Sequence, residues 1–126
     1  MDIMETRHYS AELPEFEKEL MGKRITSVGL RTLILEDGTE LVIEDGGDCC
    51  AYFEGWFETV GDPTDAVITR VEQVNKGEDP NDYNSNVAFS INIYAAHQQI
   101  AKAEVQGNVG SGYYGSSINL LVTKEV

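Results

Sequence analysis

Leu33-Ile34-Leu35-Glu36-Asp37-Gly38-Thr39-Glu40-Leu41-Val42-Ile43-Glu44 is the stretch on which the fold turns. Two apolar runs flank Asp37-Gly38, a dipeptide suited to the left-handed backbone of a tight hairpin loop. Leu41 and Ile43 share one face of the second run, because successive strand side chains point to opposite sides. The stretch predicts an antiparallel hairpin, and strand-sized segments lie on either side of it. Upstream, residues 24–30 alternate weakly through Ile25, Val28 and Leu30. Before them, Leu13, Phe16, Leu20 and Met21 follow a helical period over residues 10–21. Pro14 suits a first helical turn, Ser10 could cap it, and Gly22 ends it. Residues 1–9 show no period and are expected to be loosely ordered.

Downstream, Gly46-Gly47 precede Asp48-Cys49-Cys50. Residues 51–60 read two ways. Tyr52, Phe53, Trp56, Phe57 and Val60 fit helical spacing, yet the aromatics also suit a strand, and Gly55 weakens both readings. Residues 61–63 make a turn, and residues 62–65 could cap a brief helical turn. Residues 69–74 read as a strand and residues 76–86 as an exposed polar loop. Residues 87–94 alternate cleanly, with Val87, Phe89, Ile91 and Ile93 on one face. A turn at residues 95–98 leads to a strand at 100–106, a glycine-rich loop at 107–115 and a last strand at 118–123. The expected fold is one α+β domain over residues 1–126. It is mainly an antiparallel sheet of six to eight strands, with one or two short helices.

Twenty-two acidic residues face nine basic ones, a net charge of −13. Non-specific nucleic-acid binding is not expected of such a chain, since phosphate contact needs clustered Lys and Arg. The charge fits solubility, imitation of nucleic acid toward a basic protein, or attraction to a cationic partner. No run reaches the length of a membrane span. The N-terminus is acidic and lacks the apolar stretch of a signal peptide. A soluble intracellular protein without a membrane role is expected.

Catalytic chemistry is thin. Cys49 and Cys50 are adjacent, so a bond between them would strain the intervening peptide. They read as reduced thiols on opposite faces of a strand. His8 and His97 have no spacing that supports a metal site or a base beside either thiol. A non-enzymatic protein without cofactor or metal is expected. The loop around Gly110-Ser111-Gly112-Tyr113-Tyr114-Gly115 is the candidate ligand-binding element. Its glycines, with Gly107, permit positive φ and could expose amides to an anion. Tyr113 and Tyr114 could stack on a base. The competing reading is a tight connection whose tyrosines pack on the sheet. No Gly-Lys-Ser/Thr follows, so it is no Walker loop. Among the few cations, Arg24 and Arg70 are the candidates for phosphate, because a guanidinium binds it through two parallel bonds.

Gly22-Lys23-Arg24-Ile25, Asp37-Gly38-Thr39, Asp48-Cys49-Cys50 and Ser111-Gly112-Tyr113-Tyr114-Gly115 occur in that order. Their order over residues 22–118 resembles a family of small phage and prophage proteins. In that family's pattern an Asn separates Ser from Gly in the last motif, whereas here Ser111 meets Gly112 directly. Ala51 also stands where a polar residue is expected after the double Cys. The chain is further similar to the sponge proteins that counter Thoeris defence. The resemblance implies a phage accessory protein in the bacterial cytoplasm. Such a protein would sequester a small nucleotide-derived immune signal, as a dimer or larger homo-oligomer. Two alternatives stay open: an acidic, nucleic-acid-mimicking inhibitor of a host protein, and a virion or assembly component.

Overall fold

The computed structural model describes residues 2–48, 51–63, 66–78, 86–108 and 118–125. In chain order the elements are β1 (Ile3–His8), α1 (Leu13–Leu20), β2 (Ile25–Val28), β3 (Thr32–Leu35), β4 (Glu40–Glu44) and β5 (Gly46–Asp48), then β6 (Ala51–Thr59), β7 (Arg70–Glu78), β8 (Asn86–Ala95), β9 (Gln98–Asn108) and β10 (Asn119–Glu125). The fold is α+β and mainly antiparallel sheet, with one short helix among the described residues. The strands form two five-stranded sheets, ordered β1-β10-β4-β3-β2 and β5-β6-β9-β8-β7. The ten strands among the described residues exceed the expected six to eight because β1 and the short β5 carry no alternating pattern to betray them.

The Asp37-Gly38 hairpin forms between β3 and β4. Gly38 sits at φ +87°, and the Asp37 carboxylate accepts a 3.0 Å hydrogen bond from the Thr39 amide. That side-chain bond imitates a backbone turn and fixes the loop. Leu33, Leu35, Leu41 and Ile43 are then carried to the inner face. In the second sheet, Phe53 and Phe57 from β6 and Phe89, Ile91 and Ile93 from β8 face inward to meet them.

Two joints stitch the sheets. β4 runs through Asp45 into β5, so one continuous segment serves both. The Phe57 amide donates to the Leu30 carbonyl at 2.7 Å, which uses the edge of β6 beyond β5. Helix α1 lies between the first sheet and β7. The Leu13 amide donates to the Gln73 side-chain oxygen, and Phe16 and Leu20 are fully buried. A reciprocal capping box holds its start: the Glu12 amide donates to the Glu15 carboxylate, and Glu12 receives a backbone N–H in return. Glu12 therefore takes the place expected of Ser10. Gly22, at φ +80°, carries the chain out of the helix.

Three expectations are corrected. Residues 3–8 form β1, paired along its length with β10, rather than a loose start. β7 runs on to Glu78, so part of the expected polar loop is strand; residues 79–85 lie outside the described residues. β9 extends to Asn108, which places Gly107 in a strand. A Cβ there would overlap the Phe53 ring and the Tyr52 carbonyl, so the glycine serves close approach of two strands.

Candidate functional site

The strand register divides the molecule into two ends. Glu44, Tyr52, Asn86, Asn108 and Asn119 share one end, because Tyr52 pairs with Asn108, Asn86 with Asn108, and Asn119 with Glu44. Arg70 pairs with Tyr94 at the other end of β7. Eight residue steps separate it from Glu78, about 26 Å of strand. Arg24 stands at the Asp37-Gly38 hairpin, also away from Asn119 and Glu44.

This division bears on each expected contact residue. Gly110, Ser111, Gly112, Tyr113, Tyr114 and Gly115 lie outside the described residues, as do Cys49 and Cys50. The positions that flank residues 109–117, Asn108 and Ile118, belong to the end opposite the two arginines. Arg24 and Arg70 share an end, but each faces its own surroundings.

The end with the arginines is built in part by residues 66–69, which lead into β7. The Gly22 amide donates to the Ile68 carbonyl at 2.9 Å, and the Ile68 amide donates to the Lys23 carbonyl at 2.8 Å. On the other side the Thr69 amide donates to the Tyr94 carbonyl at 2.9 Å. Ile68 itself is buried and pins the segment to the core. Residues 66–69 thus run as a wall between the helix exit and the β8–β9 turn.

A surface cavity opens on the helix side of this wall, against the exit of α1. It has a volume of about 390 Å³ and is lined by Gly22, Lys23, Arg24, Glu36 and Asp37. The Lys23 ammonium lies 3.4 Å from Asp37, and the Arg24 guanidinium lies 3.9 Å from Glu36. The Glu36 amide also donates to the Arg24 carbonyl at 2.8 Å, which holds the two rims together. Burial pushes the Asp37 carboxyl up, but bonds from Thr39 and the charge of Lys23 outweigh it and hold it below the ordinary carboxylate range. Asp37 is therefore ionised at neutral pH and serves as an acceptor.

A second cavity, about 380 Å³, lies on the other side of the wall. Ala66, Val67, Ala95 and Ile100 give it an apolar lining, with Asp62, Thr69 and Gln98 as its polar members. Ala96 at the β8–β9 turn has φ +55° and completes the rim. Nearby, the Arg70 guanidinium stacks 4.1 Å from the centroid of the Tyr94 ring and lies 3.9 Å from Glu72. Arg70 is thus committed to its own sheet face rather than to the Lys23 cavity. Lys23 was among the cations with no assigned role in the sequence. Lys23 adjoins Arg24 in the sequence, and the fold adds Glu36 and Asp37 on the opposite rim.

Among the described residues no group of three or more His, Cys, Asp or Glu side chains is placed to hold a metal ion. No helix among them is long and apolar enough to cross a membrane. Residues 18–120 match the family model of DUF7448, a domain of unknown function, and the chain belongs to that family. No curated protein and no solved structure matches the chain.

Proposed function

We propose that this DUF7448 protein is a non-enzymatic binding protein that sequesters a small nucleotide-derived ligand at the Lys23–Arg24 end. We place it among phage-type accessory proteins that act against host defence signals in the bacterial cytoplasm. The observation that carries the reading is the Lys23–Arg24–Glu36–Asp37 cavity. It combines two cations for phosphate oxygens with two carboxylates able to accept from sugar hydroxyls or an exocyclic amine. A ligand rich in both kinds of group suits it better than a plain anion, which the carboxylates would repel. The apolar cavity across residues 66–69 offers a surface for a base. Both volumes fall within the range of small-ligand sites.

The test is a melting-temperature screen against linear and cyclic nucleotides, followed by titration of each hit. At least one nucleotide raises the melting temperature of the wild-type protein, by the linkage between binding and folding. The Lys23→Ala, Arg24→Ala double variant binds it roughly 10- to 100-fold more weakly, the loss expected from removing charged hydrogen-bond partners. The ligand returns unchanged in mass after denaturation. A screen in which no nucleotide shifts the wild-type protein removes the reading, and recovery of a cleaved ligand makes the protein an enzyme.

A further inference from the structure

We infer that two copies of this chain associate through β1, edge to edge and antiparallel, in a register centred on Thr6. β1 ends the first sheet, and among the described residues no strand lies on its outer side. Its outward amides and carbonyls offer a template for another strand. β1 is also unusual within its own molecule. Ile3, Met4, Glu5, Thr6 and Arg7 are all exposed although they alternate between faces, so neither face is covered. Ile3 is 66% exposed, Met4 51% and the following Tyr9 72%, which gathers three of the large exposed apolar side chains at this edge.

The sequence of the strand selects the partner. In an antiparallel pair centred on Thr6, Glu5 of each copy stands opposite Arg7 of the other. Ile3 meets Tyr9, Met4 meets His8, and the two Thr6 residues face each other. Ile3, Glu5 and Arg7 share the outer face of the first sheet, so the charge pairs and the apolar pairs form one row across the two-fold axis. Centring on Glu5 would set Glu5 against Glu5, and centring on Arg7 would set Arg7 against Arg7; like charges directly opposite are unfavourable. Offsetting by half a step leaves neither charge opposite its complement. Arg7 already binds Glu44 of its own chain through Nε at 2.8 Å and the terminal nitrogen at 3.3 Å. That fork fixes the guanidinium on the outer face, within reach of a second carboxylate. A net charge of −13 on each copy opposes association. Salt at physiological strength screens it beyond about 8 Å, while the strand contacts lie inside that distance. The pairing would join two five-stranded sheets into one. It is independent of the nucleotide reading, since β1 lines neither cavity.

Sedimentation equilibrium on the full chain at physiological salt tests it, with each variant's melting curve as a check of folding. The wild-type protein sediments at twice its 13.9 kDa chain mass. Glu5→Lys sets a cation against Arg7 of the other copy and sediments as a monomer. Thr6→Lys sets two cations face to face at the axis and does the same. An equimolar mixture of Glu5→Lys with Arg7→Glu regains the doubled mass, because every opposed pair is again of unlike sign. A wild-type monomer throughout the concentration range, or folded Glu5→Lys and Thr6→Lys proteins that keep the doubled mass, would overturn the inference.

Discussion

Gly107 and Gly55 show how single positions fix the second sheet. At Gly55 on β6 an added Cβ would lie 3.0 Å from the Glu104 carbonyl, 3.1 Å from Ile43 and 3.2 Å from Ile118. At Gly107 on β9 it would overlap Phe53 and Tyr52 outright. Both glycines let large neighbours occupy the space of a missing side chain, and Phe53 is a core residue. Gly107→Ala should therefore cost roughly 1–3 kcal/mol, the range for inserting volume into a packed site. Urea unfolding midpoints measure it. A Gly107→Ala protein as stable as wild type would mean that β6 and β9 are not in the register described. The composition of a glycine-rich stretch could not separate this role from turn formation. The distinction lies in Phe53, more than fifty residues earlier in the chain.

Glu19 shows how elements are tied to one another. It projects from α1 and is nearly inaccessible, with its side chain 3% exposed. Lys124 from β10 places its ammonium 2.9 Å from one carboxylate oxygen, and His8 from β1 lies 3.6 Å from the other. The His8 Nε2 is buried without a hydrogen-bond partner among the described residues, and its distance from Glu19 is beyond hydrogen-bonding range. Burial raises the Glu19 carboxyl, but Lys124, His8 and Lys23 together hold it below the ordinary carboxylate range. A lowered carboxyl stabilises the fold above the unfolded-state value and ceases to do so as pH falls through the folded-state value. Glu19→Gln should thus lower stability by about 2 kcal/mol at pH 7, the scale of a charged hydrogen bond. The gap from wild type should close as the pH is brought well below about 4. Urea midpoints of both proteins across that range test it, and a gap independent of pH would contradict it.

Legibility at this scale followed burial. The 33–44 hairpin and β8 were readable because apolar side chains alternate onto a buried inner face, Leu33, Leu35, Leu41 and Ile43 in the one and Phe89, Ile91 and Ile93 in the other. β1 was not, because both its faces are exposed and no alternation arises. β6 was ambiguous because Tyr52, Phe53, Trp56 and Phe57 satisfy a helical period by coincidence. The structure resolves it as a strand with Phe53, Gly55 and Phe57 inward. Trp56 stands on the outer face and donates to Glu58 at 2.8 Å. Eight cross-strand pairs with β9 override the local pattern.

At the scale of the whole molecule, the sequence suggested one site and the strand register describes two ends. Arg24 and Arg70 were legible as phosphate candidates by residue type. Their distance from Asn108 and Ile118 was not, because it depends on which ends of β7, β9 and β10 lie together. The placing of Glu36 and Asp37 across the cavity from the consecutive Lys23 and Arg24 is likewise a product of tertiary pairing. Amide chemical-shift mapping of the wild-type protein with the nucleotide that raises its melting temperature reads the location of binding directly. The account predicts shifts at Gly22, Lys23, Arg24, Glu36, Asp37 and Val67. Shifts confined to Tyr52, Asn86, Asn108 and Asn119, with the Lys23–Arg24 amides unmoved, would contradict it.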